Sequence, residues 1–162
     1  MTLRPPRAHT YRARLEWTGA AQGATRDYAS YSREYRVTIG GKPALRGSAD
    51  PFFRGDAALH NPEDMLVAAL SSCHMLSYLA LCARDGIEVV AYEDDAVGTM
   101  EETAGVGRFV RAVLHPRVAV ARGDLAKARA LHDEAHAQCF IASSVNFPVE
   151  HDAVVERAEV RA

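Results

Sequence analysis

Cysteine is scarce in this chain. Three in 162 residues is an odd number that builds no disulfide framework and fits thiols held reduced by their compartment. Charge excess is missing too: 19 basic residues stand against 21 acidic ones, so no strong field draws the chain to nucleic acid or to a membrane surface. The N-terminus (1–7) has basic residues but no apolar run behind them. Neither a secretory signal nor a membrane span is read there, and the cytoplasm is the expected location. Internal repeats, low-complexity tracts and linkers are also lacking, which predicts one domain over 1–162 with a flexible extension at 1–8. What is present is core material, since 48% of the residues are hydrophobic.

From about 9 to 17 the chain alternates, with Tyr11, Ala13, Leu15 and Trp17 on one side and Thr10, Arg12, Arg14 and Glu16 on the other. This is the pattern of a half-buried strand. Tyr31, Arg33, Tyr35, Val37 and Ile39 repeat the spacing and end at Gly40-Gly41, a hairpin turn. The run 47–56 is turn-rich and predicts a surface loop. It leads to the helix with the plainest boundaries: Asn61 suits the N-cap, Pro62 the first position, Glu63 and Asp64 the first turn, and Gly86 the end. Met65, Leu66, Ala69, Leu70, Cys73, Leu76, Leu79, Ala80 and Ala83 make it a central buried helix. Two extended segments, 87–100 and 107–120, read as a second hairpin. Asp124 caps a second helix with Ala128, Leu131, Ala135 and Cys139 on one face, and alternation at Val154, Glu156, Ala158 and Val160 closes the chain with a strand. The fold class is α+β.

Cys73 lies on the apolar face of the long helix, where a free cysteine commonly acts as a small hydrophobe. Cys82 points to the opposite side and reads as packing. Cys139 ends the second helix, and only tertiary packing could bring it to Cys73. A reactive thiol needs a helix N-terminus or a cation nearby. Cys73 stands roughly 18 Å beyond Asn61, outside the reach of the helix dipole. His74 projects about 100° away, which leaves an arginine from elsewhere: Arg26, Arg33 or Arg54. Glu63 could hold that arginine, but it precedes Cys73 by about 15 Å of straight helix. One shared site therefore needs a bent helix or a Glu63 from a second subunit; the plainer role for Glu63 is to offset the helix dipole. His132, His136 and Cys139 share a stripe, as metal ligands would, but a fourth ligand and the usual zinc spacings are lacking, so no metal is expected.

The run Asn61-Pro62-Glu63-Asp64 through Ser72-Cys73-His74, followed by Ala135-His136-Ala137-Gln138-Cys139, resembles the OsmC/Ohr family of osmotically inducible and organic hydroperoxide resistance proteins. The resemblance implies an OsmC-like fold, with antiparallel β-sheets wrapped around central helices in an intertwined homodimer and two equivalent sites at the subunit interface. It also implies that Cys73 is the peroxidatic cysteine, Cys139 the resolving cysteine and Glu63 the activating glutamate. The family's arginine follows the first strand, which favours Arg26 in Thr25-Arg26-Asp27. On that resemblance the expected function is thiol-dependent reduction of organic or other small hydroperoxides through a Cys73 sulfenic acid and a Cys73–Cys139 disulfide. No cofactor is expected, and the reductant would be an external dithiol, of lipoyl type or small. Cys139-Phe140 and Thr25-Arg26-Asp27 depart from the family's Cys-Pro and Gly-Gly-Arg-Asp-Gly and leave the preferred peroxide open. The competing class is a non-catalytic module that carries a fatty acid or another small molecule.

Overall fold

The computed structural model describes residues 7–159. The extension expected at 1–8 lies, apart from its last two residues, outside them, as does Val160. Backbone contacts group the chain into two compact units, one ending at Met65 and one starting at Leu66.

The first unit holds an antiparallel sheet in the order β1 (Arg14–Trp17), β2 (Tyr35–Thr38), β3 (Leu45–Gly47). The Gly40-Gly41 hairpin forms as read, with the Lys42 N–H donating to the Ile39 carbonyl at 3.0 Å. The first strand is shorter than the alternation suggested, and all four of its residues are exposed. Alternation reports only which side chains could be covered, and among the described residues no second layer covers β1.

The long helix α1 (Pro62–Arg84) keeps its expected limits. Asn61 Oδ1 accepts from the Asp64 N–H at 2.7 Å, and Asp64 Oδ2 accepts from the Asn61 N–H at 3.2 Å, a reciprocal cap with Asp in the usual place of Glu. At the other end Gly86 takes φ +69° and the Ile87 N–H returns to the Cys82 carbonyl at 2.9 Å, closing the helix in a Schellman turn.

The second unit contains β4 (Glu88–Asp94), β5 (Val97–Thr103), β6 (Val106–Leu114), β7 (Pro116–Arg122), α2 (Leu125–Ala137), β8 (Val149–His151) and β9 (Val154–Arg157). They form two three-stranded sheets, β4-β7-β9 and β5-β6-β8, each with one parallel pair. The predicted second hairpin is there, but it is broken in two where Asp94 Oδ1 accepts from the His115 N–H at 2.7 Å and Oδ2 accepts from Ser71 Oγ at 2.5 Å. β8 was not legible in the sequence. The last strand buries Val155 rather than Val154, because its parallel register pairs Val155 with the buried Val118.

The phase of α1 also differs from expectation. Its buried stripe is Leu70, His74, Tyr78, Leu81 and Cys82, while Leu76 is 63% exposed. The helix is apolar nearly all round, so composition does not choose a face; packing against Val118, Val120, Ala128, Leu131 and Ala135 does. By length and composition α1 could also cross a membrane. A stripe that carries a buried imidazole and phenol against α2 and the β4-β7-β9 sheet belongs instead to a core helix.

Candidate functional site

Two thiols meet in the second unit. Cys73 is half-buried on α1, and Cys139 is buried just beyond the last turn of α2; both are free, as is Cys82. The turn after α2 grips Cys139 by its backbone: its N–H donates to the His136 carbonyl at 3.1 Å, and its carbonyl accepts from the Ser143 N–H at 3.0 Å. Burial pushes the Cys139 thiol up. Hydrogen bonding and charge from Cys73 add to the rise, whereas the Ala142 and Ile141 N–H groups oppose it. A buried thiol close enough to a half-buried one for the two to influence each other's titration suits a disulfide-forming pair in which Cys73 meets reagents first. Cys82 is 1% exposed and burial raises its pKa, which agrees with a packing role.

Next to this pair is a cluster of imidazoles that sequence reasoning did not assemble. His74 Nε2 and His132 Nδ1 lie 3.0 Å apart, both rings are fully buried, and Tyr78 stacks on His132 at 3.9 Å between centroids. Burial, then the charges of His151 and His136, push His74 down to about 4, with Asp94 pulling the other way. Burial, then the charges of His74 and His151, push His132 down to about 3. The stripe of His132, His136 and Cys139 is therefore divided, since His132 turns to His74 and Cys139 to Cys73. Among the described residues no three His, Cys, Asp or Glu side chains converge as metal ligands.

These shifts set a pH dependence. A base with a lowered folded pKa takes up its proton in the unfolded chain first, so the stabilisation is complete above about 6.5 and is lost as the pH falls toward 4 and 3. At about 1.4 kcal/mol per pH unit for each imidazole, a descent from pH 6.5 to 5 is expected to cost on the order of 3 kcal/mol. Urea unfolding at the two pH values measures it. A His74→Leu/His132→Leu double variant should lose most of that difference, and an equal pH slope in both proteins would contradict the assignment.

The first unit carries a cavity of about 550 Å³ whose walls include Leu15, Trp17, Tyr31, Arg33, Tyr35, Phe53 and Glu63. The Arg33 guanidinium donates to the carbonyls of Tyr31 and Tyr28 and lies 3.9 Å and 4.8 Å from the centres of their rings. Four contacts thus fix its position. Tyr35 crosses the floor. A Cβ on Gly47 would come within 2.3 Å of its ring, so only glycine leaves room for it there. The Tyr35 hydroxyl is buried without a hydrogen-bond partner among the described residues, and burial, then the Glu63 charge, raise its pKa. Of the three arginines left open by the sequence, Arg33 shares the cavity with Glu63. Arg26 sits exposed in a turn, with only its neighbour Thr25 in the wall, and Arg54 is exposed at a left-handed position after the turn Pro51–Phe53. Tyr28 and Tyr31, close to Arg33 in sequence, are the signal for this packing, because aromatic rings hold a guanidinium well.

The profile of the family described as "OsmC-like protein" matches residues 55–153. The protein YmaD of Bacillus subtilis (strain 168) is 27% identical over 94 residues, 56% of this chain and 63% of that protein, so the chain spans less than two thirds of this relative. The structure of an OsmC-like protein from Vibrio cholerae O1 biovar eltor str. N16961 superimposes with a TM-score of 0.82 at 31% identity, covering 91% of this chain and 100% of that one. An organic hydroperoxide resistance protein from Elizabethkingia anophelis shares the fold, with a TM-score of 0.66 at 17% identity over 94% of this chain and 99% of the other.

Proposed function

The chain belongs to the OsmC-like protein family, and from that membership we propose that it is a thiol-dependent peroxidase for organic or other small hydroperoxides. The observation that carries the reading is the proximity of Cys73 on α1 to Cys139 in the turn after α2, each felt in the other's titration. Cys73 thiolate attacks the outer oxygen of the peroxide, the O–O bond breaks, and the departing alkoxide takes a proton to leave as alcohol. The Cys73 sulfenic acid then condenses with the Cys139 thiol, forming the S–S bond and releasing water. An external dithiol, of lipoyl type or small, reduces that disulfide by exchange and leaves oxidised in its place. No bound cofactor takes part, and the cytoplasm, where dithiol reductants are maintained, is the fitting compartment.

Arg33 and Glu63 supply the charges of this reading. The guanidinium stabilises the thiolate and the developing alkoxide, and Glu63 lines the same cavity. They reach Cys73 in a homodimer in which the cavity of one protomer serves the thiols of its partner. The exposed Leu15 of β1 and Leu76 of α1 are apolar surface that such a dimer would cover. A second reading rests on the same cavity: its largely apolar walls also suit an apolar ligand carried without chemistry.

The two readings part on one measurement. One equivalent of cumene hydroperoxide is expected to convert the reduced protein to an intramolecular Cys73–Cys139 disulfide, seen by non-reducing peptide mapping. Two unreacted thiols after that treatment would leave the binding module.

A further inference from the structure

The reaction uses Cys73 and Cys139 but gives no task to the imidazoles beside them. His74 follows Cys73 on α1, and His132 precedes Cys139 by about two turns of helix. The contact between their rings is a fully buried side-chain hydrogen bond that joins α1 to α2, while the Lys127–Asp85 ion pair at 3.2 Å ties α2 to the C-terminal end of α1 at the surface. The two rings are only 10° from parallel with centroids 5.3 Å apart, so they meet nearly edge to edge, with an N–H of one directed at the lone pair of the other. The outer nitrogens, His74 Nδ1 and His132 Nε2, are buried and have no hydrogen-bond partner among the described residues.

The surroundings keep this contact neutral. Tyr78 on α1 covers one ring, His151 on β8 stands 5.4 Å and 5.8 Å from the two centroids, and His136 lies one turn along α2. Asp94 at the end of β4 attracts charge to His74, while Asp133 is engaged 3.2 Å from His151. A neutral pair shares one proton and holds together; two charged rings would set N–H against N–H. The bond therefore acts as a clasp between α1, which carries Cys73, and α2, which leads into the turn that holds Cys139, and it sits at the residue next to Cys73.

Disulfide closure tolerates little error in helix placement, since it needs Cα atoms roughly 4.4–6.8 Å apart with a restricted dihedral. We propose that the His74–His132 clasp is the positioning device of the thiol pair, holding α1 against α2 at the level of Cys73 and so setting how readily the Cys73–Cys139 disulfide forms. The inference rests on the reading of these cysteines as a redox pair, but its test needs no peroxide.

Reduced protein is equilibrated with oxidised glutathione, so that protein dithiol and glutathione disulfide exchange for protein disulfide and two glutathione thiols. The readout is the equilibrium constant. His74→Leu/His132→Leu removes both bonding partners while keeping the site apolar, and should lower that constant at least about tenfold, which is about 30 mV toward a more easily reduced disulfide. His74→Gln sets an amide nitrogen where Nε2 lay and should stay within about threefold of the parent, whereas His74→Asn is too short to reach His132 and should fall with the double variant. A double variant within about threefold of the parent overturns the proposal; if that protein does not fold, equal constants for His74→Gln and His74→Asn overturn it. Peroxide turnover of the parent, measured alongside, separates the two ideas. A lost constant in the variant with no turnover in the parent sinks the peroxidase and keeps the clasp, and normal turnover with unchanged constants does the reverse.

Discussion

Cys73→Ser protein is expected to consume organic hydroperoxide no faster than the uncatalysed reaction, a loss of roughly three orders of magnitude or more, because a serine hydroxyl has no activating base here and cannot accept an oxygen atom as sulfur does. Cys139→Ser should behave differently. Its first turnover proceeds, since Cys73 is the more exposed of the two sulfurs, but the sulfenic acid has no partner and persists or oxidises further. Stopped-flow peroxide consumption with dimedone trapping distinguishes them. A Cys73→Ser protein that still turns over peroxide would remove the thiol from the chemistry altogether.

The second large effect concerns the arginine. Arg33→Ala is expected to lower kcat/KM for hydroperoxide about a hundredfold or more, as for loss of one preorganised donor at a developing charge. Arg26→Ala, which changes an exposed turn, should leave kcat/KM within about threefold. Arg33→Lys keeps the charge but loses the planar group that two carbonyls and two rings hold, so it should recover little. The opposite ranking, with Arg26→Ala inactive and Arg33→Ala near normal, would return the role to the arginine that the resemblance favours.

That contrast shows where sequence reading reached its limit. Asn61, Pro62 and Gly86 fixed α1 closely, because capping is local chemistry between residues a few positions apart. The second helix was likewise legible from Asp124, whose carboxylate accepts from the Ala126 and Lys127 N–H groups. Distances across the fold were not. No spacing in the chain announces that His74 meets His132, or that α1 buries His74 and Tyr78 rather than Leu76, since an all-round apolar helix accepts several faces and its neighbours decide. The edge strand β1 misled in the same way: its alternation is real, but nothing among the described residues covers it. The sequence left Arg26, Arg33 and Arg54 open and the resemblance favoured Arg26, whereas the packing of Tyr28 and Tyr31 on Arg33 is a tertiary feature that no spacing announces.

The grip on Arg33 bears on timing. A free arginine gives up its rotamer freedom when a partner arrives, commonly about 0.5–1.5 kcal/mol for a long side chain. Here that loss has already occurred during folding, because backbone oxygens hold the fork and phenol rings hold its faces. On the proposed reaction an incoming oxygen would meet a stationary positive field, with little rearrangement left for the moment at which negative charge appears.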